Sequence, residues 1–188
     1  MVSEAEDRLR EVGAEPEGHH WLDEGKAVDL AFVGDIAAVR EAMHPMESLA
    51  DICVQPSTNR RKMLLVSDMD STIITVECID ELADYAGNKA EIAEITERAM
   101  QGELDFEGAL RGRVALLKGL HRGTIRQCIE ERVRLTPGAD ILLASMRGWG
   151  AHGLLVSGGF TDFVAAVVEM AGFDTMAANR LGISGDFL

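Results

Sequence analysis

Two apolar runs, each closing on polar or glycine residues, organise the chain. The first, Leu64-Leu65-Val66-Ser67, ends in Asp68-Met69-Asp70-Ser71-Thr72. The second, Ala151-His152-Gly153-Leu154-Leu155-Val156-Ser157, ends in Gly158-Gly159. Short apolar runs bounded by turn residues read as buried strands of a parallel sheet. Between them the period becomes helical. Cys78 to Ala86 is a helix stopped by Gly87. Asn88, with Glu91 at capping-box spacing, opens a second helix that runs to about Gln101. Asp105 caps a third through Leu117, and Thr124 with Gln127 forms a capping box for a fourth. Thr136-Pro137 starts a fifth, closed by Gly148. Beyond the second strand, Phe160 to Ala171 is helical up to Gly172, and Thr175 to Leu181 reads as a third strand.

Residues 1–60 are weakly patterned. Ile36 to Met43 reads as a helix, Asp51-Ile52-Cys53-Val54-Gln55 as a short strand, and Pro56-Ser57-Thr58-Asn59 as a linker. There are no internal repeats. The two strands are separated by roughly eighty residues of mostly helix, far more than a right-handed crossover requires. The expectation is an α/β core, residues 61–76 and 149–188, with a helical cap, residues 77–148, inserted after the first strand. Residues 1–60 are then an N-terminal extension or the remnant of a regulatory domain.

The chain has 188 residues and a formal net charge of −14. Such acidity argues against nucleic acid or an anionic membrane as partner. No apolar run approaches the length of a membrane span, and the acidic N-terminus is no signal peptide. Cys53, Cys78 and Cys128 are an odd, scattered set, which fits reduced thiols in the cytoplasm. His19-His20 reads as a solvated pair, the basic triplet Arg60-Arg61-Lys62 as a strand entrance, and Cys78 as core.

Asp68 and Asp70 carry the chemistry. Ligands of open α/β sheets bind beyond the carboxyl ends of the strands. Two carboxylates at i and i+2 there are expected to point into one crevice through strand alternation. They suit one nucleophile and one proton carrier, with a divalent cation between them. Mg²⁺, which takes hard oxygen ligands and keeps several waters, is the suitable ion. Ser157-Gly158-Gly159, a strand end leading into a helix, has the form of a phosphate cradle. Glu77 and Arg113 form an opposite-sign pair suited to an ammonium and a carboxylate of one zwitterion.

These residues resemble the motifs of phosphoserine phosphatases, in the haloacid dehalogenase-like superfamily. Asp68-Met69-Asp70-Ser71-Thr72 with Glu77 is similar to that family's first motif. Residues 99–107 and 110–118 are similar to its cap, and Val156-Ser157-Gly158-Gly159-Phe160-Thr161 to its second motif. The resemblance runs from about Lys62 to Leu181. It implies a haloacid dehalogenase-like core, a doubly wound parallel sheet that is incomplete here, with an inserted helical cap. It implies hydrolysis of O-phosphoserine to serine, the last step of serine biosynthesis. Asp68 would be nucleophile and Mg²⁺ ligand. Asp70 would be the proton carrier, with its main-chain carbonyl on the Mg²⁺. Ser157 and Gly158 would hold the phosphate, Glu77 the ammonium and Arg113 the carboxylate. Phe106 would line the closed pocket, and Thr72 belongs to the substrate-binding set.

The family has two more motifs, a lysine and a Gly-Asp-Gly-x-x-Asn-Asp loop. Neither occurs in these 188 residues: no lysine follows Lys118, and Gly185-Asp186 is followed by Phe187. Three expectations follow. The chain is a fragment, or it completes its sheet by self-association through an open edge beside Leu64–Asp68. Turnover by these residues alone is weak or absent. The alternatives are a non-catalytic phosphate-binding or interaction module and a phosphatase of another small phosphomonoester.

Overall fold

Two hydrophobic cores form, one from residues ahead of Lys62 and one from residues after it. The computed structural model describes residues 1–188, which divide into the units Met1–Arg61 and Lys62–Leu188.

The first unit contains α1 (Val2–Glu11), the strands β1 (Glu15–Asp23) and β2 (Ala27–Val33), and α2 (Ile36–Met43). The strands form an antiparallel hairpin. Asp35 caps α2, its carboxylate accepting from the Ala37 N–H at 2.9 Å. Leu9, Ala14, Val39, Met43 and Met46 are its core. The helix over Ile36–Met43 is as expected. The hairpin and α1 were not anticipated; the alternation of Val28, Leu30 and Phe32 is the signal that marks β2. The strand expected at Asp51–Gln55 does not form. Ile52 and Val54 pack on this small core instead, and the Val54 carbonyl accepts from Arg40 at 3.0 Å rather than from a ladder.

The second unit runs β3 (Leu64–Ser67), α3 (Cys78–Ala86), α4 (Lys89–Met100), α5 (Phe106–Ala115), α6 (Gly123–Arg132), α7 (Ala139–Gly148), β4 (His152–Phe160), α8 (Thr161–Ala171) and β5 (Thr175–Asn179). The sheet is parallel in the order β3-β4-β5, with Leu64 opposite His152 and Leu154 opposite Thr175. One face is closed: Leu155 packs with Leu143 of α7 and with Phe163, Val164 and Val167 of α8, all buried. A side chain at Gly153 would meet Leu143 Cδ1 at 2.8 Å, so this glycine is needed for the close approach of α7. α7 packs on β4 and α8. The expectation that all of 77–148 is cap therefore fails at α7, whose apolar face is spent on the sheet.

The other face is uncovered. Leu64 and Val66 are 56% and 54% exposed, and Val156 is also exposed. The expectation of a buried first strand is corrected: β3 is an edge strand with one neighbour and no element over its outer face. Three helix starts differ as well. The Asn88 amide does not cap α4 but donates to the Leu116 carbonyl at 2.7 Å, tying α4 to the end of α5. At α6 the His121 ring, not Thr124, accepts from the Gly123 N–H at 3.0 Å. Thr136-Pro137 lies in a turn, and α7 starts after Gly138, whose φ is +91°. The Asp105 cap is as expected, accepting from Gly108 N–H at 2.7 Å.

Candidate active site

The site grows from the carboxyl end of β3. After Ser67 the chain leaves the sheet in a wide turn, Met69–Ile73, closed by the Ile74 N–H on the Met69 carbonyl at 3.1 Å. Met69, Ile73 and Ile74 are buried, so the turn is anchored by its apolar members, while Asp68 is exposed and Asp70 half-buried. The turn, not strand alternation, brings the two carboxylates into one cleft of about 280 Å³. Glu77, Phe106, Arg113 and Gly158 line the same cleft, with Ile79, Leu110, Gly159 and Phe160 completing its walls.

The two acids differ sharply in their surroundings. Asp68 is exposed, and its carboxylate accepts no hydrogen bond from the protein; only its main-chain carbonyl is engaged, by Ser67 Oγ at 2.9 Å. Asp70 is held at both oxygens. Oδ1 accepts from the Cys78 N–H at 2.8 Å, at the first residue of α3. Oδ2 accepts from Ser157 Oγ at 3.3 Å. A carboxylate at a helix N-terminus also gains from the helix dipole. Burial, and then the neighbouring Asp70 carboxylate, push the Cys78 thiol well above the usual thiol range. Cys78 is therefore a neutral core residue and no nucleophile.

β4 supplies the opposite wall. Its register with β5 slips between Val156 and Phe160, which frees the Ser157–Gly159 backbone from the ladder. Ser157 is 7% exposed and is the single buried polar side chain of the chain. Its hydroxyl accepts from the Gly159 N–H at 2.8 Å while donating to Asp70, so β4 and the β3 turn are joined through one oxygen. Gly159 keeps this corner uncrowded: a Cβ would lie 3.0 Å from Ser157 Oγ and 3.2 Å from Asp70 Oδ2, and both would have to shift. Asn179 at the end of β5 donates to the Gly158 carbonyl at 2.8 Å and steadies the same loop.

The inserted helices bring two more groups. A Cβ at Gly158 would touch the Phe106 ring at 3.4 Å, so Phe106 overhangs the glycine loop from the start of α5. Arg113, near the end of α5, is the one cation among the cleft residues. Its Nε is buried without a hydrogen-bond partner, an uncommon state for a guanidinium nitrogen. Glu77 precedes α3, and its Oε1 accepts from Ser71 Oγ at 2.6 Å. Thr72 sits on the same turn but is exposed and outside the lining residues. The Cys78 amide is the site member that sequence reasoning does not reach, because no pattern marks an amide; Gly159 belongs to the expected Ser157-Gly158-Gly159 cradle.

The donor set also bears on a divalent cation. Nowhere do three or more His, Cys, Asp or Glu side chains form a metal-holding cluster. Asp68 alone presents a free carboxylate in the cleft, with the main chain of Asp70 beside it. Hard oxygens in so small a number fit an ion that keeps much of its water, as Mg²⁺ does.

A helical insert after the first strand of a parallel sheet, with two aspartates at that strand's end, defines a class of α/β hydrolase. The family model of haloacid dehalogenase-like hydrolases matches residues 62–186, and the chain belongs to that family. Among curated proteins it is 41% identical over 151 residues to a phosphoserine phosphatase of Albidiferax ferrireducens, covering 78% of this chain and 64% of that one. Among solved structures it resembles a phospho-aspartyl intermediate analogue of phosphoserine phosphatase. That match has 39% identity and a TM-score of 0.62, over 69% of this chain and 61% of that one. It also resembles an unliganded probable phosphoserine phosphatase from Vibrio cholerae, with 31% identity and a TM-score of 0.74. That match covers 99% of this chain and 58% of the other. The chain thus spans about three fifths of the length of these relatives. No helix is long and apolar enough to cross a membrane.

Proposed function

We propose that this cleft hydrolyses O-phosphoserine to serine, the last step of serine biosynthesis, in the cytoplasm. One observation carries the reading: a single cleft holds an unengaged carboxylate, Asp68, a fully engaged one, Asp70, and the opposite charges Glu77 and Arg113. The names of the relatives point the same way. A phosphomonoester with an ammonium and a carboxylate has a counterpart for each group. The orphaned Arg113 Nε is a donor for the carboxylate, Glu77 receives the ammonium, and Phe106 lines the pocket. The alternative substrates, small phosphomonoesters without the amino-acid end, leave Glu77 and Arg113 without a task.

In this reading Asp68 attacks phosphorus. A bond forms between its carboxylate oxygen and phosphorus, and the bond from phosphorus to the serine oxygen breaks. Asp70 gives that oxygen a proton, then takes one from the water that cleaves the aspartyl-phosphate. The bonds from Cys78 N–H and Ser157 Oγ hold Asp70 in place for both transfers. Ser157 and the Gly158 backbone orient the phosphate. A Mg²⁺ held by the Asp68 carboxylate and the Asp70 carbonyl would supply charge neutralisation. The helices between β3 and α7 serve as the cap, and residues 1–61 as a separate accessory unit.

Arg113 is the sole cleft cation, so these 188 residues are expected to turn over slowly. One missing electrostatic donor typically costs ~10²–10³ in rate. The same observation favours the second reading, a phosphate-binding module without turnover. A phosphate-release assay with Mg²⁺ and O-phosphoserine separates the two. Slow release that Asp68→Asn abolishes, with a phosphate adduct on Asp68 by mass spectrometry, supports the enzyme. Binding without release or adduct supports the module. Glu77→Ala and Arg113→Ala are each expected to raise KM for O-phosphoserine by about 10–100-fold. Equal losses with a phosphomonoester lacking the amino-acid end remove the substrate assignment.

A further inference from the structure

We infer that Ser71 is a positioning residue that sets the substrate's ammonium contact by holding the Glu77 carboxylate in one orientation. The inference rests on the reading of Glu77 as the ammonium partner and adds the residue that makes it selective. Ser71 stands in the left-handed region, φ +52° and ψ +15°, one of only two non-glycine residues with positive φ. A non-glycine residue is held there only when its surroundings over-determine it, and such residues cluster at functional sites. Two contacts do so here. The Ser71 N–H donates to the Val76 carbonyl at 3.2 Å, and its Oγ donates to Glu77 Oε1 at 2.6 Å.

Together these contacts fold residues 70–78 into one closed loop with two carboxylates at its base. The Cys78 N–H takes Asp70, and the Ser71 hydroxyl takes Glu77. A short hydroxyl-to-carboxylate bond is charge-assisted and directional. It occupies Oε1 and leaves Oε2 for the ligand. Glu77 is exposed and flexible by nature, and ordering such a side chain on binding weakens affinity. The Ser71 bond orders it beforehand. The left-handed backbone is what aims the hydroxyl, so the strain and the contact serve one purpose.

The test is equilibrium binding by calorimetry in an Asp68→Asn background, which prevents turnover. The probes are O-phosphoserine and 3-phosphooxypropanoate, the same molecule without its ammonium. Ser71→Gly removes the hydroxyl while relieving the backbone, so its folding is secure. Ser71→Ala removes only the hydroxyl. Both are expected to weaken O-phosphoserine about 3–10-fold and to leave 3-phosphooxypropanoate within about twofold. Unchanged affinity for O-phosphoserine, or equal losses for both ligands, overturns the inference. Failure of the Asp68→Asn chain itself to bind either ligand overturns the substrate reading instead, and this inference with it.

Discussion

The two faces of the three-stranded sheet are built from the same kinds of side chain and meet opposite fates. On one face Leu155, Phe163, Val164 and Val167 are buried under α7 and α8. On the other, Leu64, Val66 and Val156 are exposed. Parallel sheets are ordinarily covered on both faces, because their crossovers lay helices there. The lesson is that apolar character alone does not bury a strand; an element must arrive to cover it. The two cleft carboxylates sit at the end of the very strand left open, and Asp70 is held there by α3 and by Ser157 of β4.

The comparison breaks most readily at the closed face. Phe163→Ala leaves a cavity in the larger core and is expected to cost about 3–5 kcal/mol. Denaturant unfolding followed by far-UV circular dichroism measures it. Val66→Ala on the open face is expected to cost less than about 0.5 kcal/mol, and equal losses would erase the distinction.

The thiols report the same contrast. Cys78 and Cys128 lie in the closed core and Cys53 is exposed. Burial, and secondarily Glu81, pushes the Cys128 thiol up to about 11. Alkylation at about pH 8 is expected to modify Cys53 quickly and the other two only on unfolding. The sign for stability follows from the raised values. Above the ordinary thiol range of about 8.5 the unfolded chain releases these protons first. The stability of the second unit is therefore full below that range and falls as pH rises through it. Alkylation of native Cys78 at the rate of Cys53 would refute the closed core.

The open edge gives a subtler effect. We propose that it pairs with a second copy of this chain. Antiparallel pairing of two β3 strands sets Arg60-Arg61-Lys62 of one copy beside Asp68 and Asp70 of the other, a self-complementary arrangement of charge. Light scattering after size exclusion is expected to show a mass above the 20.4 kDa monomer that falls with Val66→Lys and with salt. A monomer at every concentration removes the proposal.

Much of the site was legible because its logic is local. Asp68, Asp70 and Glu77 lie within ten residues, and Ser157 with Gly158 closes the second strand. The Asp105 cap and the αL stop at Gly87 were equally readable, since each depends on a few adjacent residues. What failed depended on distance in sequence. Asn88 has the composition of a helix cap, yet its amide satisfies the distant Leu116 carbonyl. The Asp51–Gln55 strand has β-forming residues and no partner. The hairpin β1–β2 was overlooked because β1, apart from Trp21 and Leu22, lacks the large apolar side chains that mark a strand.

The sequence by itself therefore determined the order of elements after Lys62, the two strand ends and the identity of the acids placed there. Strand ends and caps are set by short-range sterics and hydrogen bonding, which neighbouring residues specify. Only the tertiary structure decided that Asp70 is tied at both oxygens while Asp68 is left unengaged. It alone decided that α7 joins the sheet, that Arg113 reaches the cleft with an unpaired Nε, and that the outer face of β3 is left uncovered. Each of these depends on which surfaces meet. That is settled by packing between elements far apart in the chain, where no local pattern carries the information.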